Sequence, residues 1–207
     1  MPVITKIETQ MKDKERVNVY VDDAFFCGVG LDILIKLNLY KGRELDESQQ
    51  EDLKRQSGEQ DMYAKALDYT LRGLRTKREV WQYLMRKKVD KDVANRITDR
   101  LEGGGLINDK VYAETYTGQK GGKLGVGVIR NKLYRRGVSR EIIEQATSEI
   151  SEQEQEQVAR QVAEKYMRNK DIQRENLNKL YRHLAGKGFE FDLVATIVGE
   201  WKYEDRD

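Results

Sequence analysis

An apolar pattern that occurs three times constrains the fold of this chain more than any other feature. When residues 76–101 are laid over the sequence that follows, Leu84 aligns first with Leu133 and then with Leu184, without a gap. The two offsets are 49 and 51 residues. The other aligned triplets are Val80, Ile129 and Leu180; Val89, Val138 and Phe189; Val93, Ile142 and Leu193; Ala94, Ile143 and Val194; and Leu101, Ile150 and Trp201. Such self-similarity is typical of repeat arrays, whose units bury apolar faces partly against their neighbours.

Each repeat contains signals for three short helices, the first of which precedes the aligned window. In the first repeat, Thr76 followed by Glu79 predicts a capping box, and Asp90 predicts the start of the next helix. Asn108 or Asp109 is the candidate cap of the helix that opens the second repeat. We therefore predict a mainly α fold of three tandem three-helix repeats behind a small N-terminal β-hairpin/α domain. The predicted boundaries are residues 1–60 for that domain and 61–106, 107–151 and 152–207 for the repeats.

The first 30 residues alternate between apolar and polar side chains, as β-strands do. The predicted strands are residues 3–9, 17–22 and 24–29, with a hairpin loop at 12–15 and a turn at 22–23. Strict alternation places Ile7 on one face of the first strand and Ile4 on the other.

A helix and an acidic segment follow the predicted strands. Asp32 is the predicted N-cap of the helix, and Gly42 is its predicted left-handed C-terminal cap. Residues 44–56 predict a second, polar helix. Ser57 and Gly58 interrupt the helical pattern, so the boundary to the first repeat is expected there.

Composition narrows the class of protein. Charged residues make up 36% of the 207 and apolar residues 38%, which fits a helix-rich globular chain with much solvated surface. No apolar run approaches the roughly 20 residues that span a bilayer, and no signal peptide is expected because Lys6, Glu8 and Lys12 interrupt the start. Cys27 is the only cysteine, which fits a reducing compartment. A cytoplasmic protein with no membrane contact is expected.

The sequence holds no convincing active site. His183 is the only histidine and Cys27 lies in a strand pattern, so a zinc site lacks ligands. Residues 118–127 are rich in glycine, but they lack the lysine followed by serine or threonine of a phosphate loop. An enzyme that uses Asp109 or this glycine-rich segment remains the weakest alternative. We expect no catalytic residue, no metal and no cofactor.

That glycine-rich segment predicts a flexible connection instead. Residues 117–127 would link the first two helices of the second repeat. Because glycine restricts the backbone least, the link is expected to act as a hinge that changes the angle between repeats.

Basic residues give a stronger functional signal. Net charge is only +2, yet residues 123–140 contain six basic residues and no acidic one, whereas residues 44–61 contain seven acidic residues against two basic ones. A cationic turn follows the second helix of each repeat. The candidate DNA- or filament-binding residues are Lys77, Arg78, Arg86, Lys87, Lys88, Arg130, Lys132, Arg135, Arg136, Lys179, Arg182 and Lys187.

Two interpretations of these cations remain open. A recurring cationic edge is typical of a polyanion-binding surface, because phosphates supply most of the affinity for nucleic acid. Alternatively, the cations simply solvate helix ends and complement the helix dipoles. Tyr134 and Trp81 could stack on bases beside them, but their stripe positions also fit core packing.

Three groups of residues carry a resemblance to a known family. They are Arg75, Thr76, Lys77, Arg78, Glu79, Val80 and Leu84; Leu106, Ile107, Asn108, Asp109, Tyr112, Ala113 and Tyr116; and Lys123, Leu124, Gly125, Ile129, Leu133, Arg136, Gly137 and Val138. With these residues, the stretch 62–201 resembles the RecX family, bacterial modulators of the RecA recombinase. Where the family usually has a basic residue, this chain has Val128, with Arg130 two positions on.

The resemblance implies an elongated, curved array that lies in the helical groove of the RecA–DNA filament. Such proteins inhibit strand exchange, ATP hydrolysis and coprotease activity without catalysis of their own. It therefore implies RecA filaments and DNA, in particular single-stranded DNA, as partners of a monomer. The alternative is a general single- or double-stranded nucleic-acid-binding helical repeat protein.

Overall fold

The structure is a computed structural model, and it describes residues 1–203. Its strands are β1 (Ile4–Thr9), β2 (Arg16–Val21) and β3 (Ala24–Gly30). Its helices are α1 (Leu31–Lys36), α2 (Glu47–Leu71), α3 (Lys77–Arg86), α4 (Lys91–Gly103), α5 (Asp109–Gly121), α6 (Val126–Arg135), α7 (Arg140–Thr147), α8 (Glu152–Met167), α9 (Arg174–Lys187) and α10 (Phe191–Tyr203). They form two compact units: Met1–Gly73 with Trp81–Leu106, and Leu74–Val80 with the chain from Ile107 onward.

The three predicted strands form an antiparallel sheet in the order β1-β2-β3. Asp22 and Asp23 both have positive φ, 48° and 62°, which makes the tight turn between β2 and β3. Val17, Val19 and Val21 point into the core, as the alternation predicts.

The predicted faces of β1 are wrong. Ile4 is fully buried in the sheet's core, and Ile7 packs partly buried against the same core. The pairing with β2 shifts register between Ile4 and Lys6, which is a bulge. One extra residue reverses the alternation, so residues three apart face the same side.

Two predicted features of the helix after the sheet are also wrong. The N-cap residue of α1 is Gly30, which makes no side-chain capping bond, and Asp32 lies in the first turn. α1 ends at Lys36, well before Gly42. Gly42 does adopt a positive φ of 92°, but in the loop where its N–H donates to the Ile4 carbonyl at 2.7 Å. The loop is therefore fixed by the edge of the sheet rather than by a helix end.

The predicted interruption at Ser57 and Gly58 is wrong as well. α2 is one continuous helix of 25 residues, opened by a capping box on Asp46. Ser57 is buried, and its hydroxyl donates to the carbonyl oxygen of Gly28 in β3 at 2.7 Å. Packing against the sheet thus outweighs the weak helix propensity of these two residues. The boundary predicted between residues 60 and 61 lies inside this helix.

The repeating helices follow the aligned apolar positions. All six side chains at two of the triplets are fully buried: Val80, Ile129, Leu180, Leu84, Leu133 and Leu184. Helices α5–α7 and α8–α10 each surround a core of their own. The predicted caps are confirmed at Thr76 with Glu79, at Asp90 and at Asn108, whose side chains bond the backbone as caps do.

The predicted glycine-rich link is much shorter than expected. α5 continues through Gly118 to Gly121, and α6 begins at Val126, so residues 122–125 form the connection. Tyr112, Ala113 and Thr117 on α5 are buried, and their packing holds the helix despite its glycines. The hinge stays a prediction, confined to four residues, the last of which is buried.

Two similar contacts, which we call helix-end joints, lie in the second unit. In the first joint, the Thr76 hydroxyl before α3 donates to the Arg136 carbonyl at 2.7 Å. In the second joint, the N–H of Gly125 before α6 donates to the Lys187 carbonyl at 2.9 Å. The spacing of 49 and 51 residues relates Thr76 to Gly125 and Arg136 to Lys187. The repeat period therefore describes these contacts as well as the core.

Candidate nucleic-acid interface

The predicted basic residues lie on α3, α6 and α9 and in the turns that follow them. Ten of the twelve are exposed, and Lys77 and Lys187 are half-buried. Their environments differ, because some have partners within the protein and others do not.

Arg136 is held most firmly. Its guanidinium lies 3.4 Å from the Glu79 carboxylate and donates to the Tyr112 hydroxyl. It also lies 5.6 Å and 5.7 Å from the ring centres of Tyr112 and Tyr116. Burial raises the pKa of Tyr112, which keeps the phenol neutral beside the carboxylate. Arg136 therefore supports the first joint, and Arg78 packs there against Gly137.

Other candidates are anchored by single contacts. Arg130 donates through Nε to the Thr147 hydroxyl at 2.9 Å, while Lys179 pairs with Glu175 at 2.6 Å on the surface of α9. The Lys179–Glu175 pair is exposed to solvent and therefore weak, so it does not prevent Lys179 from binding another anion. In the described part of the chain, Arg86, Lys88, Lys132 and Arg135 have no ion pair or hydrogen bond through their side chains.

A groove between α6 and α7 brings several cations together with an aromatic ring. It encloses about 450 Å³. Its lining residues are Arg130, Asn131, Tyr134, Arg135, Arg140, Ile143 and Glu144. Tyr134 is 57% exposed, so the core-packing alternative for this ring is wrong.

The groove contains groups that could bind both the phosphates and an unstacked base of single-stranded nucleic acid. Three guanidinium groups face one carboxylate, Glu144. A guanidinium group can donate two hydrogen bonds to one phosphate, and an exposed tyrosine ring can stack on a base. Arg130 is oriented by Thr147, whose hydroxyl donates to the Ile143 carbonyl at 2.9 Å. The site is thus partly preorganised.

Arg140 is missing from the residues predicted as the binding set. It is the last basic residue of the cationic segment 123–140. Arg140 is the first residue of α7 and follows Arg136 by four positions. This closeness to Arg135 and Arg136 in the sequence is the signal that could have identified it.

At the aligned positions within residues 1–203, this chemistry occurs in the second repeat alone. The offset of 49 residues relates Arg130, Tyr134 and Arg140 to Trp81, Met85 and Lys91, and the offset of 51 relates them to Tyr181, Ala185 and Phe191. Trp81 is half-buried, and its indole N–H donates to Asn95 at 3.0 Å. The same surface is therefore mixed in the first repeat, cationic in the second and apolar in the third.

Residues considered for catalysis have structural partners instead. The Asp109 carboxylate accepts the backbone N–H of Lys77 at 2.8 Å, at the start of α3. Burial raises the pKa of the Cys27 thiol to about 11, which makes it a poor nucleophile. Across residues 1–203, no group of three His, Cys, Asp or Glu side chains is arranged to hold a metal ion. Within the same residues, no helix is both long and apolar enough to cross a membrane.

Three family models match separate parts of the chain. Residues 2–46 match the regulatory protein RecX N-terminal domain. Residues 108–146 match the second three-helix domain of RecX, and residues 153–198 match the third. The mainly helical fold with tandem three-helix domains is thereby confirmed.

Relatives and solved structures agree with these matches. A Bacillus licheniformis protein named regulatory protein RecX is 33% identical over all of this chain and 80% of its own length. A Staphylococcus aureus protein of the same name is 31% identical over 98% of this chain and 76% of its own. A crystal structure of a regulatory protein RecX superposes with a TM-score of 0.79, at 29% identity, over 95% of this chain and 98% of its own. RecX from Lactobacillus salivarius gives a TM-score of 0.60 at 31% identity, over 70% of this chain and 97% of its own.

Proposed function

This chain belongs to the RecX family of regulatory proteins, and we propose that it regulates the RecA recombinase by binding the RecA–DNA filament. In this proposal it lies in the filament's helical groove and mainly inhibits recombination, ATP hydrolysis and coprotease activity. It acts as a monomer in the cytoplasm, without catalysis of its own. Through this inhibition it would regulate DNA repair and the SOS response. The single observation that supports it best is the cationic groove between α6 and α7.

The groove suggests which part of the filament is touched. Arg135 and Arg140 are exposed and line the same groove as Tyr134, a combination suited to phosphates and an unstacked base. We therefore place single-stranded DNA of the filament in this groove. The remaining predicted cations, such as Arg86, Lys88 and Lys132, would contact either DNA or RecA.

A second candidate function rests on the same groove. The protein could bind single- or double-stranded nucleic acid without any recombinase. This alternative predicts that free single-stranded DNA binds at least as tightly as the RecA–DNA filament at the same salt concentration.

The two functions are separated by measuring both affinities over a range of salt. The filament-regulator proposal predicts tighter binding to the filament than to free DNA at every salt concentration. Equal or tighter binding to free DNA would favour the alternative.

The groove itself is tested by Arg135→Gln combined with Arg140→Gln. For single strands the slope of log K against log salt is about −0.7 for each phosphate contact, so this variant should lose about 1.4 of slope. Arg168→Gln combined with Arg174→Gln removes two exposed arginines from the third repeat and is the matched control. An unchanged slope in the groove variant would exclude the groove as the DNA contact.

A further inference from the structure

A second basic concavity lies in the second unit, away from the α6–α7 groove. It is formed by the end of α5, by α8 and by α9, and it encloses about 550 Å³. Its lining residues are Gly122, Lys123, Gln161, Val162, Lys165, Tyr166, Lys170, His183 and Lys187. No carboxylate lines it. We call it the lysine pocket.

The four lysines of this pocket have no acidic partner within residues 1–203. Helix dipoles do not balance them. The pocket includes the C-terminal ends of three helices, each equivalent to roughly −0.5 of an elementary charge. Together these ends offset less than half of four positive charges, so the pocket retains an excess of positive charge. Excess charge of one sign in a concavity attracts ions of the opposite sign.

Two rings form the wall of the pocket. Tyr166 and His183 stack with their ring centres 4.5 Å apart. The Lys170 ammonium lies 3.3 Å from the Tyr166 ring centre and donates to the Tyr166 carbonyl. These contacts fix the wall, so the pocket is preformed rather than assembled by a ligand.

The charge of His183 is set by this environment. Burial lowers its pKa first, and Lys187 and Lys170 lower it further. The other charged groups that face the pocket are Lys123 beyond α5 and Lys165 on α8, so every neighbouring element contributes positive charge. A bound polyanion would reverse the field that His183 experiences.

We propose that the lysine pocket binds a free chain of two or three linked phosphate groups, such as that of a nucleoside triphosphate, and that His183 takes up a proton when it does. A short phosphate chain concentrates several negative charges within the reach of four ammonium groups. The pocket is a single concavity, which fits such a compact anion better than an extended strand. This site is independent of the proposed binding to the RecA filament.

His183 provides the measurement, because it is the only histidine and its imidazole NMR signals need no assignment. Tripolyphosphate is titrated into the full chain at constant ionic strength. We expect saturable shifts of the His183 signals and an upward move of its titration midpoint in the bound state. Signals that stay unchanged by tripolyphosphate would overturn the proposal.

Lys123→Gln combined with Lys165→Gln removes two pocket charges and should weaken tripolyphosphate about tenfold or more, as loss of charge-assisted hydrogen bonds does. Arg168→Gln combined with Lys202→Gln is the matched control for net charge. An equal loss in both variants would overturn the proposal, because it would indicate general electrostatic attraction. Saturation by an oligonucleotide but not by tripolyphosphate would also overturn it and would assign the pocket to nucleic acid.

Discussion

The two helix-end joints occupy the same positions of the repeat but use different atoms. At the first joint, side chains make the contact: Thr76 donates to the Arg136 carbonyl, and Arg78 lies over Gly137. At the second joint, backbone meets backbone. Gly125 donates to Lys187, and the Gly127 N–H donates to the Gly188 carbonyl at 3.2 Å.

The difference explains where the chain uses glycine. Gly137 and Gly188 end α6 and α9 with φ of 87° and 89°, and Lys88 ends α3 in the same conformation with φ of 60°. Lys88 is exposed, so no neighbouring helix excludes a side chain at this position. At Gly188 the added Cβ would lie 2.7 Å from the Cβ of Val128. A residue in the left-handed conformation follows the second helix of all three repeats. Among the residues that the structure describes, another helix approaches that residue closely only at Gly137 and Gly188.

The largest expected effect is at the backbone joint. Gly188→Ala combines the strain of a positive φ with a clash against Val128, whose backbone cannot move aside. We expect a loss of about 3 kcal/mol in the free energy of unfolding, measured by chemical denaturation. Gly186→Ala, two residues away in α9 with open space at its Cβ, is the control and should stabilise by up to about 1 kcal/mol. A loss of unfolding free energy in Gly186→Ala as large as that in Gly188→Ala would contradict the close contact at the second joint.

Gly137→Ala should have a smaller effect at the side-chain joint. Its new Cβ meets only side-chain atoms of Arg78, of which Cγ and Cδ can rotate away, whereas the Arg78 Cβ at 2.5 Å has to shift with its backbone. We expect a loss of about 2 kcal/mol, most of it from the positive φ. A double-mutant cycle with Arg78→Gly should show a favourable coupling of about 1 kcal/mol. A coupling near zero would mean that Arg78 does not restrict Gly137.

Lys88→Gly tests the position where the turn has no joint. Because Lys88 has a positive φ and is exposed, glycine should relieve strain and raise the free energy of unfolding by about 0.5–1 kcal/mol. Lys87→Gly is the matched control and should not stabilise, since φ is not positive there. Destabilisation by Lys88→Gly would show that the lysine side chain contributes more than the backbone strain costs.

The smallest effect concerns pH near the second joint. The folded pKa of His183 is lowered, so below the unfolded value of about 6.5 the unfolded chain binds the proton more readily than the folded chain. His183 therefore favours folding above that pH, and this contribution is lost as pH falls. Thermal unfolding between pH 7.5 and 5.5 should show a smaller decrease in Tm for His183→Phe than for the wild type. Equal decreases would assign the pH dependence to other groups.

The repeat and its caps could be predicted because both appear as sequence spacing: the caps within a few residues, and the repeat at a fixed offset of about 50 residues. Thr76 with Glu79 and the buried Leu84, Leu133 and Leu184 follow from spacing alone. Ser57 in α2 could not be predicted, since its hydrogen bond goes to Gly28, 29 residues away. The bulge after Ile4 likewise depends on pairing with β2.

The candidate site was predictable in composition but not in arrangement. The cationic segment is visible in the sequence, and most of the predicted cations are indeed exposed. Which of them have internal partners depends on tertiary contacts, as with Arg136 beside Glu79 and Tyr112. The role of Gly125 was missed for the same reason, because glycine close to a distant backbone looks in sequence like glycine in a flexible link.

The central claim is that this chain regulates the RecA filament, and ATP hydrolysis by RecA on single-stranded DNA tests it most directly. The protein is titrated at fixed salt, beside the Arg135→Gln, Arg140→Gln variant and its Arg168→Gln, Arg174→Gln control. We predict that hydrolysis falls at substoichiometric amounts of wild type and control, whereas the groove variant requires about tenfold more, as for two lost phosphate contacts. Hydrolysis that is unchanged while the protein still binds single-stranded DNA would contradict the claim and would favour a nucleic-acid-binding protein that does not act on RecA.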